Sequence, residues 1–331
     1  MWVNPFGHSE NIKIYNIDKR IDISSYSELG AFHLRKVIID NWDTVVKLDY
    51  ENLAISDGSM GIIDSINSLF INEGDRVLGY SPQFPEFAES LKIRGGIYEP
   101  VLLNKDKNYK FNGDDIISCL KANVYKLVYI DNPNNPTGQI IPVHEIERII
   151  RKAYEADTIA VIDEAYGDYM PKENSAMKLI GKYPNFYVIK SFSKAYSLAG
   201  IRIGYAVGSK ELMKYYSIID DYLVNQVAIN IAETALNDKE YLEKTVEKTK
   251  HVKTDILNSI SKLEVLETDV RVPIFTAVCR DKNINLYKLM RSFGINTSSG
   301  FLNLGDNAVR IRIPKDSEKL KDLIEQLEEN I

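Results

Sequence analysis

Apolar residues recur at near-helical spacing through residues 27–42, where Leu29, Phe32, Val37 and Ile38 form one stripe and charges fill the other face. A helix is predicted there. Ala54-Ile55 then leads through Ser56-Asp57-Gly58-Ser59-Met60-Gly61 into a second apolar-periodic stretch over 62–70. The pattern is strand, glycine turn, helix. Such a turn leaves backbone N–H groups free at the helix start, where an anion can bind. Short apolar runs at 76–80, 125–130, 158–162, 186–190 and 203–207 are expected strands, and helical patterns at 144–156 and 210–222 lie between some of them. Alternation of apolar strands with helices predicts an α/β fold around a mostly parallel sheet.

From about residue 225 the pattern changes. A long polar helix is expected over 230–259, then strands near 263–268 and 273–279, a helix near 283–293, a strand near 308–313 and a last helix near 316–330. This fits a smaller α+β domain. The chain has 331 residues, more than one core usually fills. The expected division is a large α/β domain over 38–235 and a small domain combining 1–37 with 236–331. No internal repeat or low-complexity linker interrupts it.

Composition mainly excludes. The net charge of −6 argues against a general nucleic-acid surface. No apolar run approaches the roughly 20 residues of a membrane helix, and the start Met1-Trp2-Val3-Asn4-Pro5 lacks the basic and apolar regions of a signal peptide. The expectation is a cytoplasmic protein with small-molecule partners, and neither nucleic acid nor membrane among them. Cys119 and Cys279 match no metal or redox spacing, and buried structural thiols are expected for both. His8, His33, His144 and His251 form no ligand spacing, so no metal site is expected. The 20 tyrosines are scattered and are taken as packing and amphipathic surface.

In parallel α/β sheets ligands bind beyond the carboxyl ends of the strands. Asn135, Asp163, Ser191 and Lys194 stand at those ends. Lys194 sits in Ser191-Phe192-Ser193-Lys194-Ala195-Tyr196-Ser197-Leu198-Ala199-Gly200-Ile201-Arg202. Most lysines are solvated surface charges, but this one follows a strand directly, between hydroxyls and ahead of an arginine. An amine for a Schiff base, an acid for a pyridinium nitrogen and donors for a phosphate are what pyridoxal 5'-phosphate (PLP) requires. In that reading Lys194 is catalytic, Asp163 keeps the ring nitrogen protonated, and Asn135 and Tyr166 bond the ring's phenolic oxygen. Ser191, Ser193 and Arg202 serve the phosphate. Asp163-Glu164 after an apolar strand also looks like the acidic strand of a P-loop ATPase, but no G-x-x-x-x-G-K-[ST] lies upstream. Asn134-Asn135-Pro136-Thr137-Gly138 alone is merely a good turn. Arg310 and Arg312 alternate along one expected strand and so share a face, and periodicity does not choose between them as the partner of a substrate anion.

With these residues in hand, the chain resembles the fold-type I PLP-dependent aminotransferases, and most closely their histidinol-phosphate aminotransferase branch, over essentially its whole length. The resemblance implies cofactor contacts through the backbone of Ser59 and Met60 in Gly58-Ser59-Met60 and stacking by Phe84 in Ser81-Pro82-Gln83-Phe84. It implies a Tyr26 that reaches the cofactor phosphate of the other subunit of a homodimer, and an Arg310 that binds a substrate carboxylate or phosphate. Asn4-Pro5-Phe6-Gly7 is similar to the branch's N-terminal motif, which implies substrate-side roles for Asn4 and Phe6. Branch members carry a longer N-terminal segment before that motif. They also carry an arginine soon after the Gly-Ile that ends the small-domain helix, whereas here Gly294-Ile295 is followed by Asn296-Thr297-Ser298-Ser299. Arg312 and the hydroxyls of Thr297 and Ser298 are the alternatives for that second anion contact. The implied reaction is amino transfer from an amino acid to a keto substrate. A PLP decarboxylase of the threonine-phosphate type is the alternative, because the same residue set serves either bond cleavage. A PLP-sensing regulator is disfavoured for want of a basic arm.

Overall fold

The computed structural model describes residues 4–13, 26, 27, 29–216 and 224–331. Residue 28 of the helix expected over 27–42, and the end of the one expected over 210–222, lie outside the described residues. The strands are β1 (Leu53–Ser56), β2 (Arg76–Ser81), β3 (Ile97–Leu102), β4 (Leu127–Asp131), β5 (Ile159–Glu164), β6 (Phe186–Ser191), β7 (Gly204–Gly208), β8 (Glu264–Val265), β9 (Ile274–Val278) and β10 (Ala308–Arg312). The helices are α1 (Glu10–Lys13), α2 (Phe32–Trp42), α3 (Ser59–Phe70), α4 (Pro85–Ile93), α5 (Gly113–Cys119), α6 (Val143–Glu155), α7 (Lys210–Tyr216), α8 (Gln226–Asn237), α9 (Lys239–Ser259), α10 (Leu286–Ser292) and α11 (Glu318–Glu328).

The first seven strands form one sheet in the order β1-β7-β6-β5-β4-β2-β3. β3, β2, β4, β5 and β6 run parallel, as the α/β reading requires. β7 runs antiparallel to both its neighbours; on the β6 side only a loop and a single 3-10 turn join the two strands, without the helix that usually carries a parallel crossover. Central strands are buried on both faces, and their side chains sort by period two. Val128 and Ile130 enter one core and Leu127 and Tyr129 the other; Val188 and Tyr187 on β6 divide the same way. β8, β9 and β10 form a separate antiparallel sheet with its own core around Phe275, Val309, Ile311 and Ile324.

Three expectations need correction. Strand β3 was not among the expected strands, since Ile-Tyr-Glu-Pro-Val-Leu is an edge strand with half-exposed residues and an internal proline. The single helix expected over 230–259 is two, α8 and α9, broken at Asp238, whose ψ of 79° leaves the helical region and whose carboxylate accepts the hydroxyl of Ser9. The helix expected from residue 27 begins at Phe32, because Gly30 and Ala31 adopt positive φ of 74° and 45°.

Candidate active site

Parallel register sets the first wall of the site. Asp131 at the end of β4 pairs directly with Asp163 on β5. Both are buried. The Tyr129 hydroxyl donates to Asp163 at 2.5 Å and the Ala165 N–H at 2.9 Å. The Tyr129 ring is fixed in turn by stacking on Phe87, centroids 3.7 Å apart. Burial raises the Asp163 pKa, opposed by the Tyr129 hydrogen bond, the Ala165 N–H and the charges of Lys194 and Lys190. Asp131 accepts from Tyr80, Gln83, Asn134 and the Asn135 N–H, yet burial still pushes it up to about 6.

The loop after β6 presents the lysine. Phe192, Tyr196 and Leu198 bury into the core below; the Phe192 N–H donates to the Ile203 carbonyl and the Leu198 N–H to that of Phe192. Lys194, between these anchors, is left facing outward, its Nζ 5.3 Å from the Tyr166 ring centroid. The Ser193 N–H donates to the Ser191 hydroxyl at 3.1 Å, so Ser191 holds the loop from below.

Opposite lies the start of α3. Gly58 has φ of 100°, and a Cβ there would lie 2.7 Å from an Arg202 guanidinium nitrogen. The absent side chain is what admits the arginine. Asp57 already fills the space over Gly61. The donors left facing inward are the open N–H groups of Ser59 and Met60 and the Arg202 guanidinium, an anion-binding set.

These groups enclose a cavity of about 210 Å³. It gathers Lys194, Asp163, Tyr166 and Asn135; at the α3 end it gathers Ser59, Met60, Ser193 and Arg202, and Phe84 forms another part of the wall. Asp131 also lines it and was not singled out in the sequence, although it ends a strand as Asp163 does. Ser191 stands behind the wall. Arg310, on β10, reaches the rim: it donates to the Asn135 side chain at 2.7 Å and to Ser298 at 2.9 Å, and its guanidinium lies 5.5 Å from the Phe301 centroid. Tyr26 is 93% exposed and lies off the cavity. Asn4 is buried, donating to the Ala195 carbonyl at 2.6 Å and to Tyr241 at 3.1 Å, so it ties the N-terminal segment to the back of the Lys194 loop. Phe6 packs on the small-sheet core. Neither side chain enters the cavity.

The donor set fits a flat group with a phosphate at one end and a ring nitrogen at the other. The Gly58–Arg202 cradle answers the first and the buried, doubly held Asp163 carboxylate the second, with Lys194 Nζ facing the same space.

The family model described as aminotransferase class I and II matches residues 13–327. The histidinol-phosphate aminotransferase of Methanocaldococcus jannaschii is 28% identical over 98% of this chain and 87% of that one. Among solved structures, histidinol-phosphate aminotransferase from Sinorhizobium meliloti in complex with PLP superposes with a TM-score of 0.84 at 22% identity, covering 99% of this chain and 89% of the other. L-threonine-O-3-phosphate decarboxylase from Porphyromonas gingivalis superposes at 0.79 and 21%, covering 97% of each. At those identities the two structures establish the fold.

Proposed function

The chain belongs to the class I and II aminotransferases, and on that premise we propose that it is a histidinol-phosphate aminotransferase-like enzyme that uses PLP. Its reaction moves an amino group between an amino acid, with glutamate as donor, and a 2-oxo acid or a phosphorylated ketone such as imidazole acetol phosphate. The observation that carries this reading is that a lysine amine, a buried aspartate and an arginine-backed helix start face one cavity.

Bound PLP supplies an electron sink for negative charge developing at the substrate's Cα. The chain does the rest. Ser59, Met60, Ser193 and Arg202 hold the phosphate, with Ser191 bracing Ser193. The Asp163 carboxylate holds a proton at the ring nitrogen, and the Tyr129 hydrogen bond keeps that carboxylate oriented. Asn135 and Tyr166 serve the ring oxygen, and Phe84 covers the ring face. Lys194 Nζ would anchor the cofactor and, as a free amine, would serve as the base that accepts the proton from the substrate's Cα. Arg310 receives a substrate carboxylate or phosphate at the rim. Asn4 and Phe6 act from behind the site, Asn4 bracing the Lys194 loop and Phe6 the small-sheet core.

The enzyme is a homodimer with a shared site in this reading; the exposure of Tyr26 outside its own cavity supports its use by a partner subunit. The large domain spans 38–235 and the small domain 1–37 with 236–331, a division supported by the two separate sheets and cores. A cytoplasmic setting is part of the proposal; among the described residues no helix is long and apolar enough to cross a membrane.

The test is spectral. L-glutamate is added to the purified protein without acceptor, and the cofactor band is followed while 2-oxoglutarate is assayed. Conversion with stoichiometric 2-oxoglutarate supports a glutamate-dependent aminotransferase. Carbon dioxide release without oxo acid selects the decarboxylase. A protein that binds no PLP overturns the reading.

A further inference from the structure

Two guanidiniums stand on one face of one strand. Arg310 and Arg312 are two residues apart on β10, and their partners on β9 are Thr276 and Ile274. Alternation puts both side chains on the same side, with Cα atoms about 7 Å apart. That side is the cleft side, because Arg310 bonds Asn135 across it while Val309 and Ile311 fill the core behind. Arg310 is tied to Asn135, Ser298 and the Phe301 ring. Arg312 is half-buried and, among the described residues, makes no hydrogen bond and no ion pair. Its electrostatic neighbours are Tyr166, Tyr169 and Arg310, and Tyr166 lines the cavity. Arg312 also borders an outer cleft with Asp316 and Lys319, but it pairs with neither. A half-buried cation beside a like charge is unfavourable unless an anion meets it.

The two hydroxyls that share this corner are not equivalent to it. Ser298 Oγ already accepts from Arg310. Thr297 Oγ1 is sealed from solvent and makes no hydrogen bond, so a ligand does not reach it. The open donor set in this corner is therefore the Arg312 guanidinium.

We propose that Arg312 is a specificity-determining residue that takes a second negative charge of the substrate, so that the site selects doubly anionic molecules over singly charged ones of the same shape. This rests on the aminotransferase reading of the cleft. The shared chemistry is a second anionic charge beside the one on Arg310: a distal carboxylate, or the second charge of a phosphate monoester. A charge-assisted bond from a half-buried guanidinium distinguishes such pairs by about 10- to 100-fold.

The experiment is equilibrium binding to the PLP-loaded protein, read by calorimetry and by the cofactor band. Succinate, a dianion, is compared with butyrate, and L-histidinol phosphate with its methyl phosphodiester, which keeps the phosphate but carries a single negative charge. Wild type is expected to favour the more charged member of at least one pair by tenfold or more. In Arg312→Gln that preference collapses towards unity, and Arg312→Lys restores part of it. Arg310→Gln is expected to weaken succinate and butyrate together, because both share the carboxylate that Arg310 holds. Loss confined to succinate identifies the second group as a carboxylate; loss confined to histidinol phosphate identifies a phosphate. A wild type without preference, or an Arg312→Gln protein that keeps it, overturns the proposal. A wild type that binds no PLP, or that no amino donor converts, sinks the aminotransferase reading instead, so the two failures are separate.

Discussion

On the large-sheet side of the cleft Asp131 accepts from four groups and Asp163 from two, whereas across it Arg312 meets no acceptor among the described residues. The first wall is the end of a buried parallel sheet, where strand register sets the carboxylates side by side and every partner is itself packed. The second is the half-buried face of a small antiparallel sheet, tied to the first through bonds such as Arg310 to Asn135 and Thr276 to the Pro136 carbonyl. The contrast separates two tasks. Electrostatic preorganisation for proton transfer needs groups that do not move. Recognition of a varied substrate needs a donor left open until the substrate arrives. The expected signature is that changes on the first wall act on kcat and changes on the second act on KM and selectivity.

The sharpest way to break that division is Lys194→Ala. It should lower the rate of the glutamate half-reaction by about 10³- to 10⁴-fold, followed by stopped-flow absorbance. A rate within tenfold of wild type would remove Lys194 from the chemistry. Next comes the joint between the walls. Lys253 on α9 is wholly buried and donates to Thr268 Oγ1 and to the carbonyls of Asp269, Val272 and Ile274, at 2.6–2.9 Å. Burial lowers its pKa and nearby Asp269 opposes that. The segment it gathers touches the Asn135 loop: Asp269 N–H donates to the Gly138 carbonyl, and Thr276 donates to that of Pro136. Lys253→Met leaves these acceptors without their donor and should cost about 3–5 kcal/mol, measured by urea unfolding. It should also raise KM more than it lowers kcat, since β9 and β10 are freed while Asp163 is not. The opposite split would mean the joint serves the chemical wall. Asp163→Asn keeps the shape but not the charge; kcat should drop about 10²-fold, with weaker PLP retention on dialysis.

The chemical wall was the more legible in the sequence, for a physical reason. Lys194, Asp163, Asn135 and the Gly58 turn each lie within a few residues of a strand end or helix start, so local pattern alone places them. Asp131 is as close to a strand end as Asp163, but its weight comes from Tyr80, Gln83 and its register with β5, which no local window contains. Strand β3 hid for the opposite reason: an edge strand needs no apolar run, and Pro100 and Glu99 lower its signal. The break at Asp238 depends on Ser9, 229 residues away. On β10 the alternation of Arg310 and Arg312 was visible, but which of them is already engaged depends on Asn135 and Ser298, and only packing decides that.

Asp131 gives the smallest predicted effect and tests whether the first wall is as settled as its hydrogen bonds suggest. Burial pushes its pKa up to about 6, above the ordinary 3.8. Between those values the native state binds a proton that the unfolded state has released. This group's contribution is therefore present below about pH 4 and is lost as pH rises through 6, at about 1 kcal/mol per pH unit. Asp131→Asn removes the titration, and its amide end cannot accept as both carboxylate oxygens do. The stability difference between wild type and variant should be larger at pH 4.5 than at 6.5, measured by urea unfolding at each pH, which cancels the carboxylates the two proteins share. A difference that is flat with pH would mean the four donors hold Asp131 ionised throughout. The wall beside Lys194 would then carry two fixed negative charges instead of one, and Asp163 would owe part of its raised pKa to its neighbour as well as to burial.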